Sequence, residues 1–229
     1  MSSEREERIL DATLELVLRF GYDKTTVQEI ATLAGVSKGS IYLDFRSKED
    51  LFESLLVRES LRHAQRWLQC VEEDPRGGTI GGLYKATLRS KRASPLIQAL
   101  LQRNPDTMGS YLRSKDSLFA SATSKTLRAE FVVAMQEAGV MVDDVAPDLV
   151  AAVMDMIGFG LVGLVELRPA ASMPDVDETI EFIAELFDTR LTPEGADSEK
   201  GKAIVREAVA QAGIRLSAYL DEKRRGSEG

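Results

Sequence analysis

Apolar positions recur at helical spacing along almost the whole chain, and no long period-two alternation rich in Val, Ile and Thr interrupts them. The pattern predicts an all-α protein. Ile9, Thr13, Leu16 and Phe20, widened by Leu10, Leu14 and Val17, form the buried stripe of a first helix over 4–20, stopped by Gly21. Thr26-x-x-Glu29 and Thr25-x-x-Gln28 both fit a capping box for a second helix, which turns Val27, Ile30, Ala31 and Ala34 inward and breaks at Gly35. Val36 follows as a buried plug. Ser37 caps a short third helix reaching Phe45, and Ser47, with Asp50 three residues on, caps a fourth over 48–73. Asp74-Pro75-Arg76-Gly77-Gly78 reads as a linker. Further helices are predicted over 79–91, 94–103, 116–138, 147–167, 177–191 and 198–224, with a turn at Asn104-Pro105-Asp106, breaks at Gly139, Pro169 and 192–195, and a fraying tail over 226–229.

Two short helices joined by a tight glycine turn, behind a longer supporting helix, make a helix-turn-helix over residues 25–45. A reading helix must be thin enough for the major groove and carry small or polar groups outward. Ile41 and Phe45 fall on the inward side. Ser37, Lys38, Gly39, Ser40, Tyr42 and Leu43 are the candidate DNA-side residues. Lys38 can reach a phosphate or a guanine edge, Gly39 lets the backbone approach the duplex, and Tyr42 offers a flat body and a hydroxyl. Thr26 and Val27 at the head of the second helix, with Lys48 opposite, are the candidates to pin the flanking backbone.

The segments Thr25-Thr26-Val27-Gln28-Glu29-Ile30-Ala31, Ala34-Gly35-Val36-Ser37-Lys38-Gly39-Ser40-Ile41-Tyr42 and Phe45-Arg46-Ser47-Lys48-Glu49-Asp50-Leu51-Phe52 resemble the DNA-binding domain of the TetR family of bacterial regulators. The rest of the chain resembles that family in length and helical layout. The resemblance implies an N-terminal three-helix DNA-binding domain (residues 1–47) and a larger helical effector-binding and dimerisation domain (48–225). It also implies a homodimer, a palindromic double-stranded operator and a repressor released by a small-molecule effector. A transcriptional activator or a ligand-independent regulator of the same fold is the alternative. Leu43-Asp44 departs from the family pattern, in which many relatives carry a second aromatic or a histidine. An acid pointing at DNA would repel phosphate, so Asp44 is expected to act as a cap or to pair with Arg46 or Lys48.

Charge refines this picture. The chain carries a net charge of −8, which argues against non-specific nucleic-acid binding by the whole molecule. Between Lys24 and Lys48, however, four basic residues face two acidic ones, a local excess of +2 suited to phosphate. A single cysteine, Cys70, rules out an internal disulfide framework and fits a reducing cytoplasm. No secretory signal is expected. The apolar run Leu149–Leu167 contains Asp155 and Glu166, so it reads as an interface helix rather than a bilayer span. No catalytic constellation, metal-ligand spacing or cofactor motif occurs, so neither an enzyme nor a bound cofactor is expected. His63, the single histidine, reads as a helix-surface residue.

In the larger domain, Val150, Met154, Ile157, Leu161 and Leu164 make one apolar stripe and Ile180, Ile183, Ala184 and Phe187 another. Paired across a two-fold axis, two such helices per subunit would build a four-helix interface. Trp67, Met108, Tyr111, Phe119, Phe131, Met135 and Phe159 are the candidate lining of a pocket for a small, largely apolar effector, since methionine and aromatic walls adapt to varied apolar ligands.

Overall fold

The computed structural model describes residues 4–114, 125–167 and 174–226, and among them every regular element is helical. In chain order these are α1 (Glu4–Phe20), α2 (Val27–Ala34), α3 (Lys38–Asp44), α4 (Lys48–Glu73), α5 (Ile80–Arg92), α6 (Pro95–Leu101) and α7 (Pro105–Met108). A 3₁₀ helix follows (Gly109–Arg113), then α8 (Lys125–Glu137), α9 (Pro147–Leu167), α10 (Val176–Leu191) and α11 (Ser198–Gly226). The predicted start of the helix at 116, the predicted turn at Pro169 and the end of the fraying tail lie outside the described residues. Packing groups the chain into two units. The first takes residues 1–63, 94–123 and 214–229, and the second takes 64–93 and 124–213.

The first unit is built on a core of Ile9, Leu10, Val17, Ile30, Ile41, Phe45, Leu51, Phe52, Leu55 and Leu56, joined by Met108 and Tyr111 from beyond α6. Tyr22, Phe52 and Tyr111 stack in an aromatic cluster, with ring centroids 4.6 and 4.9 Å apart from Phe52 to its two neighbours. The last part of α11 joins the same unit, with Leu216, Tyr219 and Leu220 against this core. It helps bring three donors to one buried acid. Glu53 in α4, its side chain 1% exposed, accepts hydrogen bonds from Tyr219 Oη at 3.0 Å and Tyr111 Oη at 3.3 Å, and pairs with the Lys223 ammonium. His63 places Nδ1 3.2 Å from Ser94 Oγ.

A carboxylate sealed from water needs its counter-charge. Lys223→Met is therefore expected to lower the stability of this unit by about 2–3 kcal/mol, the range of a charge-assisted hydrogen bond lost to a buried acceptor. Glu53→Gln in the same background should recover part of the loss, because an amide asks for no cation. Urea midpoints of the two variants check this, and an unshifted midpoint for Lys223→Met would contradict it.

In the second unit α5 packs along α10. Tyr84 meets Phe187 edge-on at 4.7 Å and donates to the Met154 carbonyl at 2.7 Å. Asp188 gathers the start of α5: it accepts from Gly81 N at 2.8 Å and Thr192 Oγ1 at 2.7 Å and pairs with Arg76 at 2.7 Å. The two stripes that periodicity assigns to a subunit interface need correction. Val150, Leu161, Ile180, Ala184 and Phe187 are buried within the unit, with Met154, Ile157 and Ile183 packed against that core. The side chain of Leu164 lies outside what the structure describes. The apolar side chains left in water are a different set: Leu149, Met156 and Phe159 on α9, and Phe182 and Leu186 on α10, each at least half exposed. Among the described residues, no helix is long and apolar enough to cross a membrane.

Candidate nucleic-acid interface

The helix-turn-helix is framed by its own caps. Thr26 takes the N-cap of α2: its hydroxyl accepts from Glu29 N at 3.2 Å while Glu29 Oε2 accepts from Thr26 N at 2.9 Å, so the box built on Thr26 forms. The Thr26 hydroxyl also donates to Glu29 Oε2 at 2.7 Å, and this bond, with the one from Thr26 N, holds the Glu29 carboxyl below its usual range. Thr25 is buried instead and donates its hydroxyl to the Gly21 carbonyl at 2.9 Å. Gly35 closes α2 at φ 66°, a left-handed conformation that favours glycine, and Val36 N reaches back to the Ala31 carbonyl at 3.0 Å. Ser37 then caps α3, accepting from Ser40 N at 3.0 Å. Ser47 accepts from Asp50 N at 3.0 Å, and Asp50 in turn accepts from Arg46 N at 2.8 Å, which squares the entrance to α4.

This frame fixes which side of α3 meets water. Ile41 and Phe45 are 1% exposed and anchor it, while Tyr42 and Leu43 stand 47% and 79% exposed on the other side. Ser37, Lys38 and Gly39 lie exposed at the same open end. A Cβ on Gly39 would find only Ser37 Oγ, at 3.7 Å, so the fold itself does not require glycine there. Ser40 is half-buried and its hydroxyl shares a 2.8 Å hydrogen bond with that of Ser37, so both serines serve the cap. Val27 is buried beneath α2 while Thr26 stays close to the surface.

Lys48 is placed in a way the sequence did not suggest. Its ammonium lies 4.4 Å above the Tyr22 ring and donates to the Asp23 carbonyl at 3.3 Å. Burial lowers its pKa, opposed by Asp23 and Glu29. Burial, with the charges of Glu49, Asp23 and Glu53, pushes the Tyr22 hydroxyl up to about 12. Asp23 accepts from Ser110 N at 3.0 Å and from the Ser110 hydroxyl, and these bonds hold its carboxyl below its usual range. The turn into α2 is thereby bonded to the 3₁₀ helix.

Asp44 is gripped by Arg5 from the first turn of α1, with Nε–Oδ2 at 2.8 Å and a second prong from Nη2 to Oδ1. This replaces the expected pairing with Arg46 or Lys48. The two residues lie 39 positions apart, beyond the reach of any local spacing rule, which is why the sequence points to a nearby cation instead.

Six of the seven aromatic and methionine candidates for an effector pocket divide between the units. Met108 and Tyr111 are core residues of the first unit. Met135 is buried in the second, where Trp67 and Phe131 place their ring centroids 6.2 Å apart. Phe159 is half exposed on α9, and Phe119 lies outside the described residues. A cleft of about 540 Å³ in the second unit is lined by others, among them Ala146, Leu149, Val153 and Leu186.

Residues 9–55 match the family described as bacterial regulatory proteins, tetR family. Over this stretch the chain is similar to the TetR family of bacterial regulators. The match begins inside α1 and ends inside α4, so it spans the whole capped frame around α3. YvkB, an HTH-type transcriptional regulator of Bacillus subtilis, is 44% identical over 82 residues, covering 36% of this chain and 39% of YvkB. An HTH-type transcriptional repressor of Mycobacterium tuberculosis is 28% identical over 167 residues, covering 69% of this chain and 80% of that protein. YvkB and two further Bacillus subtilis regulators are matched over only 18–39% of their own lengths. In fold, the chain is similar to the transcriptional regulator FadR of Bacillus subtilis, solved in complex with stearoyl-CoA. The TM-score is 0.57 at 19% identity, covering 79% of this chain and 96% of that one.

Proposed function

We propose that this chain is a sequence-specific DNA-binding transcriptional repressor, acting as a homodimer on a palindromic operator and released by a small, largely apolar effector. One observation carries the reading. Lys38, Gly39, Tyr42 and Leu43 face outward on a helix whose opposite side is locked by Ile41 and Phe45. In this reading residues 1–47 grip the operator and residues 48–225 bind effector and partner subunit, in the cytoplasm where the chromosome is at hand. The Mycobacterium tuberculosis relative, named a repressor and matched over 80% of its length, favours repression.

The apolar side chains that water meets on α9 and α10 support a seat for the second copy there. Leu149, Met156, Phe159, Phe182 and Leu186 are exposed, and Cβ atoms on Gly160 and Gly163 would meet open space. Two such helices per subunit bury that surface in a symmetric four-helix contact, and two-fold symmetry suits a palindrome. Stearoyl-CoA in the FadR neighbour supports an effector with an apolar body. Trp67, Phe131 and Met135 are the residues of this chain we assign to it. Effector binding then shifts α4, which runs through both units, and moves the recognition helices away from the separation of about 34 Å that one helical turn requires.

Selection of duplexes from a random-sequence pool by the full chain, at stated salt, tests this. The expected product is an inverted repeat bound by protein of twice the monomer mass. A pool with no enriched sequence overturns the reading.

A further inference from the structure

Asp44 poses a problem that the reading helix has to solve. It sits in the last turn of α3, where the partial negative charge of the helix end disfavours an acid, and it directly follows the exposed Tyr42 and Leu43. The depression beside it is lined by Glu6, Asp44, Asp50 and Arg46, so three carboxylates gather at the edge of the surface that would face phosphate. Asp50 already accepts from Arg46 N at 2.8 Å. Asp44 is engaged instead by Arg5, through a two-pronged guanidinium contact whose side chains are 42% and 18% exposed. A planar fork fits a carboxylate in a way a lysine cannot.

We infer that Arg5 is a positioning residue for DNA recognition: through its grip on Asp44 it fixes the C-terminal end of α3 against α1 and cancels the charge that would repel the operator backbone. The inference rests on the proposed DNA-binding function. Arg5 acts on the duplex only through Asp44, and this separates it from a phosphate contact. α3 has seven residues, too few to be stable alone, so its far end depends on such tethers while Ser37 holds the near end. The pairing also raises the pKa of Arg5, chiefly through the hydrogen bond to Asp44, in keeping with the same geometry.

The test is a double-mutant cycle on a duplex that the wild-type chain enriches from a random pool, with affinity measured across a salt series. Arg5→Gln is expected to weaken binding about 5- to 30-fold, the range of coupling between charged neighbours. Asp44→Asn alone should bind within about 3-fold of wild type, since the tether it loses is offset by removal of an acid from the DNA side. Arg5→Gln with Asp44→Asn should return to the affinity of Asp44→Asn alone, because Arg5 then has nothing left to hold. Arg5→Lys, which keeps the charge and loses the fork, should fall between wild type and Arg5→Gln.

Equal losses for Arg5→Gln in both backgrounds overturn the inference. So does a fall of about one in the salt slope that persists in the Asp44→Asn background, the mark of a direct phosphate contact. Thermal melting of each variant separates a loss of fold from a loss of grip. If Arg5→Gln does not fold, Arg5→Lys with and without Asp44→Asn runs the same cycle. A wild-type chain that enriches no duplex overturns the DNA-binding reading itself and this inference with it.

Discussion

Gly78→Ala is expected to remove about 3 kcal/mol or more from the stability of the second unit, the upper end of what overpacking costs. A Cβ built on Gly78 lies 1.7 Å from the Ser198 carbonyl oxygen and 2.8 Å from Lys202 N. Facing it, a Cβ on Gly201 lies 1.9 Å from the Gly78 carbonyl oxygen. The obstacle on both sides is backbone, which cannot swing aside as a side chain can. The contact is also bonded: Gly78 N donates to Ser198 Oγ at 3.0 Å, so the linker before α5 and the first turn of α11 are held with no room for a methyl group. For a protein of this size such a loss lowers the melting temperature by about 6–12 °C. Gly39→Ala is the control, because its new Cβ meets nothing closer than 3.7 Å and its helix gains propensity, so melting should stay level or rise slightly. Circular dichroism melts of the two variants decide the matter. A Gly78→Ala protein that melts with wild type would mean that the linker and α11 do not meet in this way.

What the sequence made legible and what it hid follow from the range of the interactions involved. Caps are local, so the signals at Thr26, Gly35 and Ser37 placed α2 and α3 almost to the residue, and Pro147 marked the start of α9. The choice between Thr25 and Thr26 needed three dimensions, because both spacings fit and only burial of Thr25 leaves Thr26 free to cap. The stripes on α9 and α10 misled for a related reason. Both helices carry apolar residues on more than one side, so periodicity alone cannot say whether Val150 and Phe187 or Leu149 and Leu186 face the core; the structure buries the first pair.

The outward face of α3 was legible because it depends on one helix, while contacts with distant partners were hidden. Lys38, Gly39, Tyr42 and Leu43 emerge on the outward side, as an inward Ile41 and Phe45 require. The partner of Asp44 and the folding back of Lys48 onto Tyr22 are contacts between separate elements, so neither leaves a periodic trace. Residue type alone groups Met108 and Tyr111 with Trp67 and Phe131, since all are large and apolar. The chain returns to the first unit after α5, however, and takes these two residues with it.

Replacing Lys38 and Tyr42 together by alanine is expected to weaken binding to an enriched duplex about 100-fold or more, as each side chain contributes about 1–3 kcal/mol at a specific site. The fold should not change, because Tyr42 is 47% exposed and α3 is held by Ile41, Phe45 and the Ser37 cap rather than by Tyr42 or Lys38. The single variants separate two kinds of contact. If Lys38 touches phosphate, its removal lowers the salt slope by about one and weakens all sequences alike; if it reaches a guanine edge, the slope holds and discrimination at one base pair collapses. Tyr42 is neutral, so its loss should leave the slope unchanged while affinity falls. Leu43, 79% exposed and apolar, is placed to meet a thymine methyl, so Leu43→Ala should relax preference at a single position with little change in the salt slope. Because the chain as a whole carries a net charge of −8, attraction to DNA has to come from this small face, and steep salt dependence in the wild type is part of the same expectation. Undiminished binding by the double variant, with its melting curve intact, would move the reading surface off α3 altogether.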